Sequence, residues 1–363
     1  MAKRSEKRNY LVLIGVAVLL IGILGLFVLN ADTLYVSGKA VTSSTKSVIE
    51  KSPQKNVQCS ISKNIPVGET ITGNNKFDNI IGPDLLSYLN RFTINFGSKT
   101  IKARELIVSG QAINDFNDPN FVTVADSISS HDKNYENDVF LESTKDSLKY
   151  YYAFDTPILV SSATPENPLI IKFLGKFLKI TGTSADGTAI SAEYGNDRQM
   201  KVGETFSGIK LENVGNTGSI AVNVNGVSGT IAEGKTKLVG GINIFNWESF
   251  FHKNINNRKA TLVIDAGEAK EFRDGDVYIG ENENSPHWTW NIGGLQENTL
   301  TIPSAKSEFL GPYIGIENDI VYDDASDYPP TVGECLKFPR LYLKVCLDNV
   351  QKNAAKVTIK GKC

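Results

Sequence analysis

From Leu11 to Asn30 the chain carries no charged side chain, and that run constrains the layout of everything after it. Twenty residues at about 1.5 Å each cover the hydrocarbon core of a bilayer, so residues 1–30 are expected to form an N-terminal transmembrane helix or a signal segment. Lys3, Arg4, Lys7 and Arg8 precede the run against one acid, Glu6. Positive flanks stay on the cytoplasmic side, which directs the remaining chain outward. A removable signal peptide has the same basic head and apolar stretch. The run is longer than the usual signal core and its best small-x-small cleavage pattern is only Val36-Ser37-Gly38, so retention as an anchor is the preferred reading. A pilin-type leader is a third option, but no small residue stands between the basic cluster and the apolar run. All these readings export the chain that follows the run.

The formal net charge is −2, and residues 1–10 contribute +3, so the exported part carries −5. Nucleic-acid binding calls for a clustered basic surface, which this composition does not offer. Residues 31–58 are rich in Ser, Thr and Lys with few large apolar groups, and read as a flexible stalk. From Cys59 onward the texture changes to short apolar alternations broken by Gly, Asn, Asp and Pro, the pattern of strands. The expected fold is mainly β, with β-sandwich-like domains and few short helices. The clearest hairpin takes Leu169–Ile180 as its first arm, turns through Thr181–Thr188 with Asp186-Gly187, and returns from Ala189. Gly218–Val227, Ala260–Ile264 and Asp276–Ile279 have the same texture. The best helix signal is Asp84–Phe92, with Pro83 ahead of it and apolar residues at helical spacing. Ser161–Pro168 holds two prolines between apolar runs, which predicts either a crossover or a break between two ectodomains, 59–165 and 166–363. Val-Gly-Glu recurs at 67–69, 202–204 and 332–334, each time leading into an apolar or β-branched stretch; these read as similar strand starts rather than as proof of duplication.

Four cysteines in an exported chain are expected as disulfides. Folding Glu334–Leu347 as a hairpin about Pro339-Arg340-Leu341-Tyr342 puts Cys335 opposite Cys346, and closing so short a loop stabilises by about 3 kcal/mol. Cys59 and Cys363 then pair by elimination, with a Cys363 left for intermolecular bonding as the rival.

Gly229–Thr236, GTIAEGKT, satisfies the phosphate-loop pattern G-x-x-x-x-G-K-T. That motif needs a helix after the threonine, yet Gly240-Gly241 follow and each costs a helix about 1 kcal/mol relative to Ala. Only 25 residues separate Thr236 from the Leu262–Asp265 acidic strand, and ATP is scarce outside a cell. The expected reading is a glycine-turned strand connection, with nucleotide binding a remote alternative. His131, His252 and His287 stand apart, without ligand spacing to another histidine or cysteine. Neither G-x-S-x-G nor H-E-x-x-H occurs, so no catalytic residue is assigned and an enzyme is unsupported. Asp319, Asp323, Asp324 and Asp327 form the densest acidic cluster and are the candidate ligands for calcium, the one cofactor the sequence suggests. Trp288 and Trp290 share one side of a strand, where they form either core or an aromatic binding ledge.

Residues 136–182, containing Phe173-Leu174-Gly175-Lys176, resemble archaeal S-layer proteins. The resemblance continues through Gly208–Asp265, with the valine-rich Val222–Val227, the Gly234-Lys235-Thr236 turn, Gly240-Gly241-Ile242 and Ala260-Thr261-Leu262. It extends through Leu310-Gly311-Pro312-Tyr313 to Pro329-Pro330 and Val332-Gly333-Glu334, so that it spans about residues 136–348. It implies a cell-surface structural protein that associates with itself or with other lattice subunits, held to the membrane through residues 11–30. It also explains the phosphate-loop match as a family turn. Two features depart from the family: no N-x-Ser/Thr glycosylation acceptor occurs, and the chain is short with four cysteines, which fits an accessory or anchoring subunit. A monomeric surface receptor or adhesin is the competing class.

Overall fold

The computed structural model describes residues 58–73, 75–110, 121–126, 138–264, 269–301, 311–323 and 328–362. The anchor, the stalk except Gln58, and Cys363 lie outside the described residues, as do His131, Asp324 and Asp327. Among the described residues no helix is long and apolar enough to cross a membrane.

The described chain is mainly β, and its helical content is three single turns of 3-10 helix at Val160–Ser162, Ile255–Asn257 and Pro339–Leu341. The central sheet runs in the order Ile80–Ile81, Lys99–Ser109, Leu148–Phe154, Tyr313–Asn318, Trp288–Asn291, with Arg91–Phe96 also paired to Lys99–Ser109. Leu148–Phe154 is buried on both faces because it lies between two bonded neighbours and under two apolar layers: Tyr150 and Tyr152 enter the main core, Tyr151 and Ala153 a smaller one behind it. A second sheet orders Lys270–Arg273, Ala189–Tyr194, Lys176–Thr183 and Leu169–Phe173. The Asp186-Gly187 turn sits between its middle strands as expected. The expected single arm Leu169–Ile180 is instead two strands folded back at Leu174-Gly175.

Residues 196–264 form a small sandwich of two four-stranded sheets. One holds Thr205–Phe206, Ile209–Val214, Ile220–Val224 and Val227–Ile231. The other holds Asn196–Lys201, Lys259–Ile264, Ile242–Phe250 and Lys235–Val239. In Ile220–Val224 the alternating Ile220, Val222 and Val224 are fully buried while Ala221 and Asn223 are not, the period of a strand with one face on a core. Those three side chains meet Leu211, Val239, Ile244 and Leu262 in a core of their own.

The terminal sheet joins the two ends of the described chain, in the order Cys335–Lys337, Leu343–Gln351, Ala354–Gly361, Ser60–Pro66. Seven residues of the first strand pair with the last, from Ser60 opposite Lys360 to Pro66 opposite Ala354. This sheet repeats the plan of the first sheet of the sandwich, with the N-terminal strand in the place Val227–Ile231 takes there. The Val-Gly-Glu tripeptides mark the shared device. Each is a tight turn in which the glutamate N–H closes on a carbonyl three residues back: Glu69 to Pro66 at 3.2 Å, Glu204 to Lys201 at 3.0 Å, Glu334 to Thr331 at 2.9 Å. The glycines take φ of 85°, 93° and 92°, the left-handed conformation that this turn requires and glycine adopts without penalty. Each glycine N–H then donates to one residue of a neighbouring strand, Val124, Leu211 or Leu347, whose own N–H returns to the glutamate carbonyl. Leu211-Glu212-Asn213-Val214 and Leu347-Asp348-Asn349-Val350 both carry a bulge at the acidic residue.

Three expectations are corrected. Asp84–Phe92 is not a helix: two successive turns bury Leu86 and Leu89, and Arg91 and Phe92 have already entered a strand whose neighbour Lys99–Ser109 satisfies their backbone. Asp276–Ile279 is not a ladder strand: it holds the single bridge of Val277 to Thr289, and Ile279 already enters a turn. The break at Ser161–Pro168 does not divide two domains. Leu148–Phe154 from before it bonds to Tyr313–Asn318 from after it, the first and last strands pair, and residues 56–363 form one unit by contact.

Candidate functional site

The acidic loop is only partly described. Asp319 is held by Lys145, whose Nζ lies 2.5 Å from its carboxylate, so the first candidate calcium ligand already faces a cation. Asp323 follows four residues later, and among the described residues no group of three His, Cys, Asp or Glu is placed to hold a metal. His252 and His287 are exposed on separate loops.

Trp288 and Trp290 are core rather than a ledge, at 4 % and 0 % exposure. Trp288 stacks on Phe338 with centroids 4.6 Å apart and donates Nε1–H to the Lys337 carbonyl at 3.2 Å. Trp290 packs among Phe173, Phe272 and Tyr278.

The phosphate-loop look-alike connects strands. Gly229 lies in strand Val227–Ile231, and Lys235 and Thr236 open strand Lys235–Val239, whose partner is Ile242–Phe250. Gly229 is explained by packing, since a Cβ there would fall 2.5 Å from Val239 Cγ2. Gly240 and Gly241, both at positive φ, form the two-residue hairpin turn that follows. The helix N-terminus that would gather N–H groups on a phosphate is replaced by a β ladder.

Cys335 and Cys346 are directly opposed across a strand pair and disulfide-bonded. Cys59 is disulfide-bonded as well, to a partner outside the described residues. Its carbonyl accepts from Gly361 N at 2.8 Å, two residues before Cys363.

A cleft of about 310 Å³ was not foreseen. It is lined by Ala192–Tyr194 at the end of one strand, Lys270 and Phe272 on the neighbouring strand, and the Val277–Glu283 loop. Tyr278 is 1 % exposed and forms an edge contact with Trp290 at 5.0 Å; Tyr194 meets Tyr278 at 6.4 Å. Behind Tyr194, the Arg340 guanidinium lies 3.7 Å from its ring centroid, a cation–π contact. Glu193 pairs with buried Lys179, Nζ to Oε1 at 3.1 Å. Three buried polar atoms beside this cleft have no hydrogen-bond partner among the described residues, Tyr194 OH, Tyr278 OH and Trp290 Nε1; Glu193, next to Tyr194 in the strand, turns to the opposite face of the sheet. Native interiors pair such atoms almost always, so their concentration at one cleft marks it as unusual. Burial raises the Tyr194 hydroxyl above its ordinary pKa, and it stays protonated as a donor.

A buried acid lies elsewhere, at Glu105. It is 0 % exposed and accepts four hydrogen bonds: Tyr150 OH and Tyr342 OH on Oε1 at 2.6 Å each, Asn90 N and Nδ2 on Oε2 at 2.8 Å each. Burial raises its pKa, opposed by these donors. Through Tyr342 it ties the central sheet to the start of the terminal sheet, a structural knot rather than a site.

Comparison of the chain with family models, with curated proteins and with solved structures finds no match.

Proposed function

We propose that this chain is a structural protein of the cell envelope, a surface-lattice subunit or the membrane-anchored accessory of one, displayed outside the cell and held by residues 11–30. The observation that carries the reading is the distribution of apolar surface. Eleven large hydrophobic residues are exposed among the described residues, and five of them, Val227, Leu238, Phe250, Phe251 and Ile255, belong to the small sandwich. They fall into two groups. Val227 and Leu238 flank the Asn225-Gly226 and Gly240-Gly241 turns, while Phe250, Phe251 and Ile255 lie at the far end of strand Ile242–Phe250. Nine residues at about 3.4 Å separate the two groups by about 30 Å. A patch at each end of one module suits head-to-tail contact, which propagates into open arrays rather than closing as a dimer. The resemblance to archaeal S-layer proteins supports the same reading.

Calcium at Asp319 and Asp323 is the ion proposed to bridge neighbours, in competition with Lys145 at Asp319. The test is electron microscopy of residues 56–363 with and without a divalent cation: ordered sheets support the lattice, and dispersed single particles at every concentration refute it. The cleft at Tyr194 and Tyr278 favours a second reading, an adhesin or receptor that works as a monomer.

A further inference from the structure

We infer that the outer face of the terminal sheet is a docking surface for the anionic phosphate headgroups of a lipid bilayer. Alternation along its strands sends Leu336, Leu343, Val345, Val357 and Ile359 into the core and leaves lysines on the other face. The register sets Lys337 opposite Lys344 and Lys344 opposite Lys360, so three lysines share one row across three strands about 4.8 Å apart. Lys356 and Lys362 extend the array before and after Lys360 along the chain. Like charges directly opposed destabilise a sheet, and among the described residues one ion pair relieves this row, Asp348 with Lys360 at 3.9 Å. The sequence is segregated to match. Residues 59–66 and 331–362 carry eight basic side chains against two acidic ones, net +6, whereas residues 67–330 carry 22 against 35, net −13. Such a molecule meets an anionic surface favourably through its basic face alone.

Two observations favour a bilayer over other anions. Leu341, 48 % exposed, lines a cavity of about 180 Å³ together with Lys344, Lys360, Gly361 and Lys362. An apolar side chain set among lysines suits the boundary between headgroups and acyl chains, whereas a soluble anion offers it no apolar contact. The lysines also spread in two directions, across the strands and along one of them, which matches a plane of charge better than a single polymer chain.

The inference rests on the reading of a membrane-held chain for the presence of a bilayer, and on the face alone for its affinity. In sequence, the first strand to follow residues 11–30 is the one that joins this sheet, with Ser60 opposite Lys360. The experiment acetylates the full-length chain with a water-soluble amine reagent on vesicles of phosphatidylcholine, with or without phosphatidylglycerol, and follows each lysine by mass spectrometry. Each lysine against an anionic surface contributes about fivefold to binding, so Lys344, Lys360 and Lys362 are expected to react at least about fivefold more slowly on the anionic vesicles, with high salt restoring the rate. Lys235 and Lys237, exposed on the small sandwich, are expected to react alike on both. Lys337→Gln combined with Lys344→Gln is expected to remove most of the protection of Lys360 and Lys362, with a urea midpoint no lower than that of the wild type because opposed like charges are lost. Equal reaction on the two kinds of vesicle overturns the inference. So does equal protection by inorganic phosphate or polyglutamate on neutral vesicles, which shows a site for soluble anions, and so does protection that grows with protein concentration on neutral vesicles, which shows a second copy. A lowered midpoint of the variant overturns it too, because the row then serves the fold. Flotation tests the anchor separately: a chain that floats only with anionic vesicles at low salt loses the anchor and keeps this inference.

Discussion

Glu105→Gln is the sharpest perturbation of the fold. The wild-type carboxylate offers four acceptor positions and all four are filled, two by Tyr150 and Tyr342 and two by Asn90. Glutamine in the same place keeps its oxygen on the two tyrosines but turns an NH₂ toward the Asn90 N–H and Nδ2, so two acceptor contacts become donor against donor. Hydrogen bonds to a charged group are worth about 1.5–3 kcal/mol each, and part of that loss is offset because a buried charge is removed. The expected net loss is about 2–4 kcal/mol, read as a lowered urea midpoint with unchanged slope. The pH dependence follows from the raised pKa of Glu105. In the unfolded chain the carboxyl ionises near its ordinary value of about 4.3, while the folded state holds the proton more tightly. Its contribution is therefore fully present below that value and is lost as pH rises through the folded pKa. The variant has no such titration, so the stability gap between wild type and variant should narrow as pH rises above about 4. A variant as stable as wild type at every pH would refute the reasoning, since the two lost acceptor contacts to Asn90 would then cost nothing.

Other outcomes follow from the same geometry. Lys179→Met strands Glu193 as a buried charge and should cost about 3–5 kcal/mol by chemical denaturation, much of it restored when Glu193→Leu is added. Lys235→Ala alters an exposed strand residue and should change stability by less than about 0.5 kcal/mol, with no magnesium-dependent ATP binding before or after; ATP binding abolished by the substitution would reinstate the phosphate loop. Self-association in sedimentation should strengthen with calcium more than with sodium at equal ionic strength, and Asp323→Asn should reduce the difference; indifference to calcium removes the ion from the account.

The legible parts of the fold were those governed by neighbours in sequence. The alternation in Ile220–Val224, the Asp186-Gly187 turn and the Cys335–Cys346 hairpin all arise within a short stretch of chain, whereas the Val-Gly-Glu repeats, read as strand starts, are tight turns. Asp84–Phe92 misled because Leu86 and Leu89, three apart, bury equally well from one helical turn or from two tight turns, and only the distant strand Lys99–Ser109 decides between them. Ser161–Pro168 misled for a similar reason: prolines show where a strand cannot continue, not whether strands on either side pair across the gap. Pairing of Ser60–Pro66 with Ala354–Gly361 spans nearly the whole described chain and leaves no local trace. The cleft was invisible because its walls, Glu193-Tyr194, Lys270-Phe272 and the Val277–Glu283 loop, become neighbours only when the strands pair. The paired tryptophans pointed to core or ledge alike, and the cover supplied by Phe338 and Phe173 settled it.

Sedimentation velocity of residues 56–363, compared with the same chain carrying Leu238→Asp and with one carrying Phe251→Asp, tests the central claim most directly. Leu238 and Phe251 are 60 % and 39 % exposed, at opposite ends of the sandwich. Either change therefore spares the fold while placing a charge in a proposed contact. The account predicts concentration-dependent growth of the unaltered chain into species larger than a dimer, and the loss of that growth in both variants. A wild-type chain that sediments as a monomer at every concentration, or variants that assemble as it does, would contradict it.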